Sequence, residues 1–310
     1  MKTQQLGQTH FQVTRLAYGC MRISGGVWRR ADLHEDAIRN GIRLVETAFD
    51  AGYNFFDHAD IYGDTTCETI FGRVLKLHPG WRDQMTVATK CGIWFADQPN
   101  PGDPQRYDFS YEHIVRSVEG SLTRLGIETI DLLQLHRPDY LADPEEIARA
   151  FTELRGAGQV REFGVSNFRP TLLTAVQRAL PFALQVNQVE IHLGRLDCFT
   201  DGTLDQYLER RITPLAWSPL DRGHLATGAT SELESRSRLL RALDATAQEY
   251  GTDRTSVALA WLLKHPAGII PIVGTANEQR IRDLTKADAV ELSRVTWYKL
   301  LEAARGGRVP

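Results

Sequence analysis

Apolar and polar positions along the chain alternate between two periods. Short apolar runs that end in a polar residue are followed by longer stretches whose apolar residues recur every three or four positions, the spacing of one helix face. Asn54-Phe55-Phe56-Asp57, Met85–Thr89 ending at Lys90, Ile130–Leu135 ending at His136 and Val160–Val165 ending at Ser166-Asn167 are runs of the first kind. Arg15–Gly19, Leu184–Glu190, Thr213–Trp217 and Ile269–Val273 complete a set of strands. Ile38, Ile42, Val45 and Phe49 mark a helix face with Gly52 just past its end, and Ile114, Val118, Leu122 and Leu125 mark another closed by Gly126. Asp143 followed by Pro144 reads as a cap and first turn of a third helix through Leu154. Leu6-Gly7-Gln8-Thr9 reads as the turn of a hairpin within residues 3–14.

Strands that alternate with helices predict parallel sheet. Eight such units in 310 residues fit a single (β/α)8 TIM barrel over residues 1–310, with an N-terminal β-hairpin and C-terminal helical segments such as Val295–Ala304. No G-x-G-x-x-G follows the first strand, so the usual dinucleotide fingerprint of a doubly wound sheet is missing. Two long loops follow strands, Cys91–Phe109 and Ser218 to about Ser235, and loops of that length in a compact fold are usually functional.

Charge and cysteine usage narrow the class. The 36 Lys and Arg against 39 Asp and Glu give a net charge of −3, which argues against a protein built to coat nucleic acid or a membrane surface. Met1–Phe11 has no apolar signal core, and the longest apolar stretch, near Ala267–Gly274, falls far short of the ~20 residues a spanning helix needs. Cys20, Cys67, Cys91 and Cys198 are scattered, with no ligand spacing. The expectation is a cytoplasmic chain with reduced thiols and no metal site.

The chemistry collects at the strand ends, which a barrel gathers at its C-terminal mouth. Asp57, Tyr62, Lys90 and His136 would bring an acid, a phenol, an amine and an imidazole together. A Lys90 ammonium, kept charged by Asp57, would lower the phenol pKa of Tyr62. Tyr62 could then donate a proton to a carbonyl oxygen as charge develops there, with His136 orienting that oxygen. Taken singly, each residue is as readily a cap, a packing group or a solvent-facing charge.

Here the motifs resemble a known family. Phe55-Phe56-Asp57-His58-Ala59-Asp60-Ile61-Tyr62-Gly63 closely resembles the signature of the aldo-keto reductase superfamily. Ile130 through Asp139, Gly164-Val165-Ser166-Asn167-Phe168, Gln185 through Glu190, Trp217-Ser218-Pro219-Leu220 and Ile272 through Arg280 resemble its further blocks in order. The resemblance implies a (β/α)8 barrel with Asp57, Tyr62, Lys90 and His136 as catalytic tetrad and Tyr62 as general acid. It implies that Ser166, Asn167 and Gln188 hold the nicotinamide carboxamide and that Trp217 stacks on the ring. Ser218, Leu220 and Gly223 match the pyrophosphate segment, and Gly274, Thr275 and Arg280 the adenosine 2′-phosphate region. NADP(H) is therefore the favoured cofactor. Gly274 and Asn277 stand where many members place a lysine, and Leu284 where an Asn often follows, which leaves NAD(H) as the alternative.

The expected activity is reduction of an aldehyde, ketone or sugar carbonyl to an alcohol, or the reverse. Two other readings are a nicotinamide-binding sensor or scaffold on the same barrel, and an isomerase or aldolase with Lys90 as Schiff base. Gly19, Met21 and Arg22 follow the first strand and could contact cofactor or substrate, and Trp28, Trp94 and Phe95 could line an apolar pocket. Cys91, directly after Lys90, is expected to place an oxidation-sensitive thiol beside the site.

Overall fold

The computed structural model describes residues 1–26, 33–227 and 234–309; Trp28 and part of the 218–235 loop lie outside them. A hairpin of β1 (Thr3–Gln5) and β2 (Gln12–Thr14) precedes a closed barrel of eight parallel strands. These are β3 (Ala17–Gly19), β4 (Phe55–Asp57), β5 (Thr86–Cys91), β8 (Ile130–Leu135), β9 (Val160–Ser166), β10 (Val186–Glu190), β11 (Thr213–Trp217) and β12 (Ile270–Val273). The short pair β6 (Ile93–Trp94) and β7 (Arg106–Tyr107) forms an antiparallel ribbon inside the 91–109 excursion.

Helices cover the barrel as expected for βα units: α1 (Glu35–Asp50), α2 (Thr66–Leu77), α3 (Tyr111–Leu125), α4 (Pro144–Gly156), α5 (Pro170–Ala179) and α6 (Thr203–Arg210) each follow a strand. After β11 come α7 (His224–Thr227), α8 (Glu234–Glu249) and α9 (Arg254–Leu263), and after β12 come α10 (Glu278–Leu284) and the terminal α11 (Arg294–Arg305). Local chemistry sets their ends. Asp143 accepts from the Glu145 amide ahead of Pro144, Ser110 from His113, and Gly126 closes α3 in the left-handed region at φ 65°. In α1 the structure shifts the inner face slightly: Ile38 and Val45 are buried with Leu44 and Ala48, while Ile42 and Phe49 pack at its margin.

Side-chain alternation along the strands divides the barrel interior into two layers. The lower layer is apolar: Ala17, Phe55, Ala88, Leu132, Val186, Leu215, Ile270 and Ile272 meet Leu6, Phe11 and Val13 of the hairpin, which plugs the base. Each of the larger side chains in this layer, fully buried, contributes roughly 1.5–3 kcal/mol, and the two alanines less. Two residues further along, the same face turns polar: Phe55 gives way to Asp57, Ala88 to Lys90, Leu132 to Gln134 and Val186 to Gln188. The plug is fixed by its turn. Gly7 and Gln8 donate backbone N–H groups to Thr213 Oγ1 and Gln185 Oε1, each at 2.8 Å. Gly7 has φ 54°, and a Cβ there would sit 2.6 Å from the Gln185 side chain, so only glycine makes this approach. At the periphery Trp261 and Trp297 stack at 4.8 Å and each donates its indole N–H to the other's carbonyl, which ties α9 to α11.

The alternation that points Lys90 inward points Cys91 outward. Its thiol is buried in the outer apolar cluster beside Phe109 and Ile114, and burial pushes its pKa well above the ordinary range. An oxidation-sensitive thiol at the mouth is therefore overturned: the residue next to Lys90 in sequence faces the opposite side of the strand. Cys20, Cys67 and Cys198 are buried too, and all four are free. Ellman's reagent should label no thiol rapidly in the native protein and four after denaturation in guanidinium. A fast-reacting equivalent in the native state would contradict this packing.

Candidate functional site

Lys90 lies at the inner centre of the mouth with none of its side chain exposed. Its Nζ donates to Asp57 Oδ1 at 2.8 Å, to Asp57 Oδ2 at 2.7 Å and to the His58 carbonyl at 2.6 Å. Both oxygens of one carboxylate and a backbone carbonyl accept from the ammonium, and Tyr62 lies within its hydrogen-bonding reach. Burial is the strongest single influence and pulls the lysine pKa down, but Asp57 and Tyr62 together outweigh it and hold the ammonium above its usual value. The expectation that Asp57 keeps Lys90 charged agrees with this geometry. A Schiff-base lysine needs a free amine, which this pairing opposes.

Tyr62 sits in the turn after β4, where its N–H donates to Ala59 O at 3.1 Å. Gly63, Asp64 and Thr65 follow with φ of 57°, 51° and 72°, and this left-handed run swings the chain into α2 and leaves Tyr62 over the mouth. Lys90 Nζ lies 5.0 Å from the Tyr62 ring centre, and the His136 ring meets Tyr62 edge-on at 5.9 Å. Lys90 does push the phenol pKa down, as expected, but burial pushes harder in the other direction and the net shift is upward. The phenol therefore keeps its proton at neutral pH. Burial, then Lys90 and Arg137, hold the His136 imidazole well below its ordinary pKa, so it is neutral, and its Nδ1 has no partner among the described residues.

Gln188 and Gln134 complete the upper layer. The Gln188 amide donates to Asp57 Oδ1 at 2.9 Å and to Gln134 Oε1 at 3.4 Å, and Gln134 donates to Asp57 Oδ1 at 3.4 Å. Here the Gln188 amide N–H faces Asp57, where the resemblance implied a role on the carboxamide. Asn167, in the left-handed region at φ 62°, bridges Ser166 Oγ and the His136 carbonyl with Nδ2 and accepts the Trp217 indole N–H at 2.9 Å. That bond pins one edge of the Trp217 ring, which is half-buried at the end of β11.

The segment after Trp217 bends sharply. Ser218, Asp221, Arg222 and Gly223 all have positive φ, from 49° to 99°, and Leu220 turns its side chain into the packed layer. Within this turn the Asp221 N–H donates to the Ser218 carbonyl at 2.9 Å and the Gly223 N–H to the Leu220 carbonyl at 3.0 Å. Arg222 is exposed on the loop after β11 and Arg280 in the first turn of α10, where Asn277 caps the helix by accepting the Arg280 amide at 2.9 Å. Gly274 is exposed beside the Gly19 carbonyl, and Thr275 accepts Tyr18 OH at 3.1 Å through its own carbonyl. The pinned indole and the Arg222 and Arg280 guanidinium groups, which have no ion pair or side-chain hydrogen bond among the described residues, fit a nicotinamide dinucleotide. Trp94 behaves otherwise than expected. Arg106 and Arg116 approach its ring at 5.3 and 5.6 Å and its N–H is held by Asp108, so it packs within its own excursion.

Two sets of residues escaped the sequence reading. Gln134 lies two positions before His136, and the period of two along β8 would have pointed it inward with that histidine. Behind β5, buried Glu68 accepts from Thr89 Oγ1 at 2.6 Å and Arg124 Nε at 2.7 Å, and nothing in the local pattern of α2 announces this. Asp60 sits beside that pair with its Oδ1 sealed and without a hydrogen-bond partner among the described residues. Burial, reinforced by the Glu68 charge, pushes the Asp60 carboxyl up to about 8. His58 is fully buried with its ring edge against Phe71, and burial pulls it down to about 3. Among the described residues no group of three or more His, Cys, Asp or Glu could hold a metal ion, and no helix is long and apolar enough to cross a membrane.

A raised carboxyl pKa means the native state holds a proton that the unfolded chain, titrating near ~4, has released. Asp60 therefore contributes a loss of stability as pH rises from about 4 to about 8. Asp60→Asn should melt progressively higher than the parent across that interval, with a constant difference above it. A melting difference that does not change from pH 5 to 8.5 would contradict the assignment.

Comparison with known proteins agrees with this architecture. The family model for the aldo/keto reductase family matches residues 15–304. A 6-dehydroglucose reductase of Novosphingobium aromaticivorans is 40% identical over 99% of this chain and 97% of its own length. A second protein of that name, from Agrobacterium fabrum, is 41% identical over 93% of this chain and 95% of its own. Among solved structures, a glycerol dehydrogenase from Gluconobacter oxydans superposes with a TM-score of 0.85 at 26% identity, covering 100% of this chain and 97% of its own. Sequence and backbone thus coincide over the same barrel and the same strand ends, and the chain belongs to the aldo/keto reductase family.

Proposed function

We propose that this oxidoreductase is a single barrel unit that reduces an aldehyde or ketone, a sugar-derived carbonyl in particular, with NADP(H) favoured over NAD(H) and Tyr62 as general acid. The observation that carries this is the Lys90–Asp57 pair beneath a phenol that retains its proton at neutral pH. Tyr62 holds the proton to be delivered to the carbonyl oxygen. Lys90, fixed by Asp57, stabilises the phenolate that the transfer leaves behind. His136, neutral and with Nδ1 unpartnered, orients the same oxygen through its ring. Ser166, Asn167 and Gln188 line the side of the mouth where the carboxamide would be held. The Trp217 ring offers a face for stacking, and Arg280 a fork for a 2′-phosphate. When bound, the reduced nicotinamide supplies the hydride. The 6-dehydroglucose reductase relatives favour a polyhydroxylated aldehyde. Four free thiols accord with a cytoplasmic setting.

Tyr62→Phe should still quench its tryptophan fluorescence on binding NADPH while turnover falls by ~10² or more, the scale of a general acid. Undiminished turnover would remove Tyr62 from the mechanism. Arg280→Ala should raise KM for NADPH and leave KM for NADH nearly unmoved. An equal rise for both would assign Arg280 no part in the cofactor preference.

A further inference from the structure

The loops after β10 and β11 leave the barrel side by side, because Glu190 at the end of β10 pairs in register with Trp217 at the end of β11. In the first of them lies His192, a buried imidazole outside the set of Asp57, Tyr62, Lys90 and His136. Its own turn fixes it. His192 and Arg195 exchange backbone hydrogen bonds at 3.4 and 2.8 Å, and His192 Nδ1 accepts the Gly194 N–H at 3.0 Å. Burial holds the imidazole below its ordinary pKa, against the pull of Asp221 and Glu190, so the ring is neutral at neutral pH. A neutral ring that accepts at Nδ1 carries its one proton on Nε2.

That N–H is set between two carboxylates. Nε2 lies 3.7 Å from Glu190 Oε1 and 4.0 Å from Asp221 Oδ1. At these separations the N–H dipole is attracted to both charges, and the buried setting strengthens the attraction. The two carboxylates differ in origin. Glu190 ends the strand that leads into the same loop, where Arg195 holds its other oxygen at 3.1 Å and is itself held by Asp197 at 3.1 Å. Asp221 comes from the turn after β11. Its Oδ2 would lie 3.7 Å from a Cβ on Gly194, so the carboxylate rests against the 192–195 turn. Around Asp221 stand Ser218, Leu220 and Gly223, which the resemblance assigns to the cofactor's pyrophosphate. A carboxylate in such a segment repels phosphates unless it is drawn aside. We propose that His192 is a positioning residue for the dinucleotide: its Nε2–H draws Asp221 toward the loop after β10 and so sets the Ser218–Gly223 turn against which the pyrophosphate lies. This rests on the nicotinamide-dinucleotide reading above and adds to it the group that shapes the turn.

Three variants separate the two sides of the ring. His192→Asn keeps an acceptor near the place of Nδ1 for the Gly194 N–H and has nothing at the place of Nε2. His192→Gln reaches that place with an amide N–H, and His192→Ala keeps neither. Equilibrium titrations with NADPH and with NADH measure affinity, and NADPH consumption with glyceraldehyde measures KM and kcat. Ala and Asn should weaken both dinucleotides alike, by about fivefold, since the pyrophosphate is common to them, and Gln should restore most of the parent's affinity. The loss should appear in the dinucleotide's KM and not in kcat at saturation. Rescue by Asn instead of Gln would make His192 a brace for its own turn alone and overturns the inference. So does equal affinity in Asn and Gln, an affinity that Ala leaves unchanged, or a loss confined to NADPH, which would place the effect at the 2′-phosphate. Each of these leaves the reductase reading standing. Asn and Gln keep part of the ring's volume and bonding, so their comparison decides the matter even where Ala does not fold. A parent protein that binds neither dinucleotide overturns the reductase reading together with this one.

Discussion

The structure depends on one buried ion pair. Lys90 and Asp57 are sealed from solvent, with side chains 0% and 2% exposed, and their contacts of 2.7 and 2.8 Å must stand in for all the water each has lost. Such a pair is weak evidence of stability in itself, but leaving either partner alone typically costs about 3–5 kcal/mol. Everything around it serves to keep both satisfied. The His58 carbonyl takes a further ammonium proton, and the Gln188 and Gln134 amides converge on Asp57 Oδ1. Those amides belong to a polar layer that exists only because the layer beneath is dry and closed by the hairpin. Without the Leu6, Phe11 and Val13 plug, water would enter from the base, raise the local dielectric and weaken the field that Lys90 exerts on Tyr62.

The same strand supports a second charge system on its other face. Thr89 points outward between the inward Ala88 and Lys90 and bonds to Glu68, which Arg124 holds from α3. Glu68 lies near enough to raise the carboxyl pKa of Asp60. Asp60 in turn is two residues from Tyr62 and donates its backbone N–H to Lys90 O at 3.0 Å. A negative charge on Asp60 would compete with Asp57 for the influence of Lys90. Its protonation removes that competition, and the neutral His58 adds no charge of its own. The site thus contains one strong inward field because its neighbours are either paired or neutral.

The fold was legible because strand and helix periods differ and because the breakers are local. Gly126, Asp143 and Pro144 end or start helices by their own backbone chemistry, and the structure uses each as read. The strand ends Asp57, Lys90 and His136 were legible for a related reason: a charge ending an apolar run marks where a buried strand reaches a mouth. Cys91 was misjudged because adjacency in sequence reverses direction in a strand. Glu68 and Arg124 were illegible because their partners are 21 and 56 residues apart. Trp94 deceived in another way: a loop aromatic looks free until the cations that cover it are placed beside it in space.

Strand order also explains why the chemistry is divided as it is. Asp57, Lys90 and His136 come from β4, β5 and the end of β8, three consecutive neighbours in the barrel. Ser166, Gln188 and Trp217 come from the next three, β9, β10 and β11. On the reading proposed above, proton delivery therefore occupies one arc of the mouth and hydride delivery the next. They meet where Asn167 bonds back to the His136 carbonyl and forward to the Trp217 indole. The left-handed backbone of Asn167, at φ 62°, is what lets one side chain reach both the His136 carbonyl and the Trp217 indole, and so tie the two arcs of the mouth together.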